Sequence, residues 1–408
     1  MSATLRTRAA ETALNIAREL RDPEVVTTAL SERAAPTLCY GLAGTALLHA
    51  CLADAGPSSA ATAAAHWKAA GRLLGTAPPD GIHTGPGAVA ASLIIGTGYL
   101  SPHDPHHDLL PSATAWLCAR ATALAQHHHQ RAEKQQGTPW MVYDAIKGLT
   151  GIGRVLLAAY TRGRCGDAEP GLRAALDALI HMILTPLGTR PGWWLPPCLH
   201  PPTVKVPVTG AATTGLAHGI AGPLALLSAA HQAGYTVPGQ TDAIRVAGEW
   251  LVNWQTPSRT WPPRVSGAAL DSQDRTTGHT EGRTTAWCYG TPGIATALRS
   301  AGHAIGEAVF RHTADEAMTA LATRKPDEWD TEGTALCHGT AGILQAARSL
   351  RHLSLTDHAT DTTLAHAPLT GPQGFLTGRA GTALALADYA GLLPGGVADT
   401  WDSLLLLS

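Results

Sequence analysis

The sequence predicts an all-α protein, a double-layered α/α toroid built from seven helix-pair repeats. Three observations carry this prediction. A Gly-x-x-Gly motif recurs along the whole chain. Each copy opens an apolar run with helical character. Each is preceded by a second helical stretch that carries more charge.

Six copies are clear, at Gly41/Gly44, Gly148/Gly151, Gly219/Gly222, Gly290/Gly293, Gly339/Gly342 and Gly378/Gly381, and a shortened seventh is Gly85/Gly87. Their spacing is irregular, so insertions vary while the unit persists. The post-glycine runs, among them 46–52, 88–95, 155–160, 223–229 and 343–350, are rich in Ala and Leu and poor in charge, as expected of helices buried nearly all round. The stretches before the motifs (2–20, 58–74, 112–126, 170–184, 241–254, 305–323 and 357–366) show apolar spacing near three to four and carry more Arg, Asp and Glu. An inner apolar ring inside a more polar outer ring satisfies both patterns. One copy of the motif would be mere helix-packing punctuation; seven are not a chance pattern. Glycine lets backbones approach closely and permits unusual dihedrals before a helix. If all inner helices run the same way, their N-termini converge on one rim, with exposed N–H groups and positive dipole ends.

A chain of 408 residues would on average hold two or three domains, but the repeat spans it, so residues 1–408 read as a single toroid domain. Two helix-poor extensions, about 188–214 and 256–285, are rich in Pro, Trp, Thr and Gly, and paired prolines prevent helix there. They are candidate peptide-docking walls or plain surface excursions.

The net charge is −2 with no basic block, which gives no footing for nucleic acid. Residues 3–20 are amphipathic and charged, unlike a signal peptide, and no apolar run reaches 18 residues, so no integral membrane protein is expected. The seven cysteines are odd in number and irregularly spaced, which argues against a disulfide framework and for a reducing, cytoplasmic setting.

Two strings carry chemistry: Trp287-Cys288-Tyr289-Gly290 and Cys337-His338-Gly339. Cys288, Cys337 and His338 supply two thiolates and one imidazole, a three-ligand zinc set with an open fourth position, for one Zn2+ per chain. Two thiolates make the metal electron-rich and a weak Lewis acid, better suited to activating an incoming thiol than to hydrolysing an amide. The alternative is a closed structural site with a fourth ligand from Cys39, Cys198 or a stray histidine such as His200. The tracts His106-His107 and His127-His128-His129 read as solvated histidines or adventitious metal binders.

These motifs, set among seven glycine units that cover essentially the whole chain, resemble the LanC family of lanthionine synthetases. The resemblance implies a toroid and a zinc ion on Cys288, Cys337 and His338. It also implies an intramolecular Michael addition, in which a precursor-peptide thiol adds to dehydroalanine or dehydrobutyrine to form a (methyl)lanthionine thioether. Ala217-His218-Gly219 and Tyr143-Asp144 match two further family elements, which implies that His218 and Asp144 act near the metal. His218 could move the proton, and Asp144 could orient His218 or merely cap the next helix. Tyr289 could hydrogen-bond the enolate or simply pack. Arg283, five residues before Cys288, could stabilise enolate charge or be an ordinary surface arginine. The implied partners are a leader-bearing dehydrated precursor peptide, a separate dehydratase and a transporter complex. Rival readings are a relative that binds glutathione or peptide thiols, a non-catalytic scaffold of a lanthipeptide complex, and a glycosidase. The last needs paired acids such as Glu281, Asp330 and Glu332.

Overall fold

The computed structural model describes residues 3–28, 30–56, 58–75, 80–163, 166–201, 204–274, 283–367 and 371–408. Cys165, Glu281 and part of the second extension lie outside them. Seventeen helices occur among the described residues. In chain order they are α1 (Ala3–Glu19), α2 (Pro23–Thr27), α3 (Leu42–Cys51), α4 (Ala60–Leu73), α5 (Gly85–Gly96) and α6 (Leu110–Glu133). Then come α7 (Trp140–Tyr143), α8 (Leu149–Arg162), α9 (Glu169–Leu184), α10 (Ala221–Gln232), α11 (Gln240–Asn253) and α12 (Gly267–Ser272). The last are α13 (Thr291–Ala304), α14 (Ala308–Ala322), α15 (Thr340–Ser349), α16 (Leu353–Ala365) and α17 (Arg379–Ala390).

The post-glycine helices form a closed inner ring. α3 packs on α5, α5 on α8, α8 on α10, α10 on α13, α13 on α15, α15 on α17, and α17 back on α3. Every residue of α3 is buried, and so is every residue of α17 but Asp388 and Ala390, as expected of inner-ring helices. The outer helices are α1, α4, α6, α9, α11, α14 and α16. Each of the six from α4 to α16 packs on the inner helix that precedes it in sequence. The repeat is therefore an inner–outer hairpin, shifted by half a unit from the outer-then-inner order read in the sequence. Short connections favour this antiparallel pairing; only three residues separate α13 from α14 and α15 from α16. The shift leaves α1 without a preceding partner, and it packs on α17, so the first helix closes the ring at the last.

Space explains the repeat glycines. The first glycines of five copies (41, 148, 290, 339 and 378) are N-caps with φ between −101° and −140°, where no left-handed freedom is needed. The second glycines lie in the first helical turn. A Cβ on Gly342 would meet the Leu336 carbonyl oxygen at 2.1 Å, and one on Gly222 the Leu216 oxygen at 2.5 Å, six residues back in both cases. Each motif thus folds its preceding turn tightly over the start of its inner helix.

The fold is not purely helical. The two extensions meet in a small antiparallel sheet of order β1-β2-β3, with β1 (Trp194–Leu195), β2 (Ala211–Thr213) and β3 (Arg264–Ser266). Ala212 stands opposite Val265. The chain end, Trp401 to Leu407, is buried within the ring against α5 and α8. There the Trp287 indole N–H donates to the Leu405 carbonyl at 3.0 Å, and the buried Arg154 pairs with Asp399 at 3.0 Å. No described helix is long and apolar enough to cross a membrane.

Candidate functional site

The turns that precede the inner helices are laced together by backbone hydrogen bonds. The Ala145 N–H donates to Ala217, Ala217 to Cys288, Cys337 to Leu376, Leu376 to Cys39, and Cys39 to His83, over 2.9–3.3 Å. These bonds form a collar in two stretches, one ending at Cys288 and the other starting at Cys337, and Cys288 and Cys337, 49 residues apart, are neighbours where the two stretches meet. The ligand atoms of Cys288, Cys337 and His338 all lie within 4.8 Å of one another, and the Cys337 sulfur is 4.0 Å from His338 Nε2. Both cysteines are buried, while His338 is half-buried.

The Cys337 thiol donates to Cys288 and, helped by His338, pulls the Cys288 thiol down to about 5 against the opposing effect of burial. The same bond, together with burial, holds the Cys337 proton on. His338 is raised above its ordinary range by its hydrogen bond to Cys288. One sulfur is therefore already a thiolate, and two sulfurs and an imidazole converge, a donor set that fits zinc. Among the described residues no fourth Cys, His, Asp or Glu joins the group. Cys39 occupies the equivalent position of the first repeat, where burial pushes its thiol up to about 11. Cys198 is exposed, and His200 lies in a cavity wall instead.

His218 and Asp144 come together from adjacent repeats, with His218 Nδ1 2.6 Å from Asp144 Oδ2. The other carboxylate oxygen accepts from the backbone N–H groups of Ile146, Lys147 and Gly148 at 2.7–3.1 Å. Asp144 is fully buried, so these donors replace water around its charge. Asp144 thus caps the turn and orients His218 at once. Trp140 sets its ring edge against His218 at a centroid distance of 4.3 Å, and the Tyr143 hydroxyl donates to the His218 carbonyl at 3.2 Å.

A cavity of about 270 Å³ is lined by Trp140, His200, Thr213, His218, Arg264 and Tyr289, with Pro201 and Val204. Both extensions contribute to this wall. Tyr289, next to Cys288 in sequence, lies 5.7 Å from the His218 ring, and burial raises its hydroxyl so that it stays a phenol. Arg264, on β3, holds its guanidinium 5.2 Å from the Tyr289 ring centre, and its buried Nε has no hydrogen-bond partner. Sequence reasoning missed Arg264 and Trp140. The signal for Arg264 was its place beside Pro262-Pro263 in an extension already singled out as a wall.

Arg283 lies beside the cluster, where its charge acts on Cys337 and His338. It pairs with Glu332 at 2.5 Å and donates to the Asp330 carbonyl, and the Glu332 N–H donates to the His338 carbonyl at 2.8 Å. It braces the His338 turn and is not among the cavity-lining residues. Asp330 accepts from the Thr284 and Thr285 backbone, and with Glu332 bound to Arg283 neither acid faces the cavity as a glycosidase pair would.

A family model described as lanthionine synthetase C-like protein matches residues 32–394. No curated protein matches the sequence. Among solved structures, nisin cyclase is similar, with a TM-score of 0.73 at 19% identity over 92% of this chain and 93% of that one. The fold is that of nisin cyclase, and the chain belongs to the lanthionine synthetase C-like family.

Proposed function

We propose that this protein is a zinc-dependent lanthipeptide cyclase that closes thioether rings in a dehydrated precursor peptide. The observation that carries the reading is the Cys288–Cys337–His338 cluster together with a cavity lined by His218, whose charge acts on Cys288, and by Tyr289, the residue after Cys288. Cys288, Cys337 and His338 would hold the zinc. When bound, zinc lowers the pKa of a substrate thiol while leaving the sulfur nucleophilic.

The substrate supplies both reactants. Its cysteine sulfur bonds to the β-carbon of dehydroalanine or dehydrobutyrine, and the alkene electron pair moves toward the α-carbon and its carbonyl oxygen. The thiol proton leaves and one proton returns at the α-carbon, so the product is an isomer of the substrate. With Asp144 on Nδ1, His218 is left with Nε2 as its single acid–base nitrogen, fit to carry that proton. The Tyr289 phenol and the Arg264 guanidinium are the donors available to the enolate oxygen. The sheet of the two extensions forms the wall along which the peptide lies. The reading implies a separate dehydratase, a leader-bearing substrate and a reducing, cytoplasmic compartment. A transporter complex is a further candidate partner.

Because cyclisation leaves the mass unchanged, its readout is the loss of alkylatable thiol from a peptide bearing dehydroalanine and cysteine. The zinc-loaded protein should consume thiol. Cys337→Ala should lose zinc and thiol consumption together. Full consumption by metal-free protein would overturn the reading.

A further inference from the structure

A second histidine cluster lies outside the collar. On α6, which packs on α5, α8 and α9, the positions Leu117, Ala121, Leu124 and His128 are buried, so His128 occupies a core position. His181, in the last turn of α9, meets it there, with His128 Nε2 2.9 Å from His181 Nδ1. His129 completes the group. The three rings stand 5.1–5.3 Å apart, and one nitrogen from each falls within a 4.8 Å cluster.

Burial and the neighbouring imidazoles pull His128 down to about 3, and burial lowers His181. His128 Nδ1 lies 2.7 Å from the Thr138 hydroxyl, and with its proton on that side Nε2 keeps the lone pair that faces His181 Nδ1. A cavity of about 660 Å³ opens beside His128 and His181, with room for the ion and its water. The last turn of α9 adds carbonyl dipoles that favour a cation.

We propose that His128, His129 and His181 form a second metal site, one that takes an imidazole-preferring divalent ion such as zinc, copper or nickel and leaves a coordination position for water. In a tetrahedral site nitrogen ligands about 2.0–2.1 Å from the ion are about 3.3 Å apart. The ion therefore replaces the His128–His181 hydrogen bond with a small parting of the two rings. The His181 proton moves from Nδ1 to Nε2 through solvent. The ion ties the end of α9 to α6 at the root of the first extension. Thr138 also leads, two residues on, to Trp140, whose ring rests on His218. The site stands apart from the thiol centre and does not depend on the reading given to it.

The test is a cobalt(II) titration of the full-length, untagged, metal-free protein. Two successive equivalents are expected, one with intense thiolate-to-metal charge transfer and one with weak d–d bands alone. His129→Ala and His181→Ala should each lose the second equivalent and keep the thiolate band. Cys288→Ala should do the reverse. His129 is exposed, so its variant tests the site without disturbing the core. A wild-type titration that shows no d–d-only equivalent, or one whose d–d-only equivalent survives both histidine substitutions, overturns the proposal.

Discussion

Asp144 places one carboxylate oxygen 2.6 Å from Nδ1 of His218 and the other on three backbone N–H groups. The carboxylate is thus held by its own turn and fixes the imidazole of the next repeat. Asp144→Asn keeps the shape and removes the charge. Thiol consumption should slow by about 100-fold or more, while zinc content stays at the wild-type level. Elemental analysis beside single-turnover alkylation checks both.

The Cys288 thiol is held down to about 5 in the metal-free cluster, against an ordinary value of 9.0. A depressed acid contributes stability that is complete above its unfolded value and lost as pH falls through its folded value. Thiolate ultraviolet absorbance of metal-free protein should therefore persist through neutral pH and vanish near pH 5. Cys337→Ala removes the principal donor and should shift that midpoint upward. An unmoved midpoint would mean that Cys337 does not donate to Cys288.

Arg264 brings a guanidinium to the cavity with its Nε unpartnered. Arg264→Ala should lower kcat for cyclisation by about 100-fold without changing zinc content. Arg283→Ala should instead weaken zinc binding, because Arg283 holds Glu332 against the His338 turn. Measuring kcat and zinc affinity in both variants separates the two arginines; equal effects would contradict the placement.

Gly342 admits no Cβ, since Leu336 oxygen would lie 2.1 Å away. Gly342→Ala must push backbone against backbone, at a cost of about 3 kcal/mol or more. The displaced carbonyl adjoins Cys337, so melting temperature and zinc affinity should fall together.

The inner ring was legible because the constraint on Gly342 recurs at Gly44, Gly151, Gly222, Gly293 and Gly381. A demand repeated six times leaves a periodic trace in the sequence. The sulfur pair was legible for a related reason: Cys288 and Cys337 stand at the same offset from their glycines, and the inner helices that follow them, α13 and α15, are neighbours in the ring. Arg264 follows no such rule. Its place depends on β3 pairing with β2 across two insertions, and strands of three residues each carry no periodicity of their own. The half-unit shift was equally hidden, because apolar spacing reports that a helix is amphipathic and not which neighbour covers it.

The closure of α1 on α17 also sets an order of events on the ribosome. Ala9, Ala13, Ile16 and Ala17, the buried stripe of α1, emerge first, yet the helix that covers them ends at Ala390. Until α16 and α17 have been made, that stripe lacks the helices that cover it. The collar is subject to the same delay, because Cys337 and Cys39 are both bonded through Leu376. A truncated chain lacking the last repeat would carry every residue of the thiol cluster and still lack the frame that holds Cys337 in register. Such a product would hold its three ligands out of register, so a prematurely terminated copy would bind metal more weakly than the finished ring.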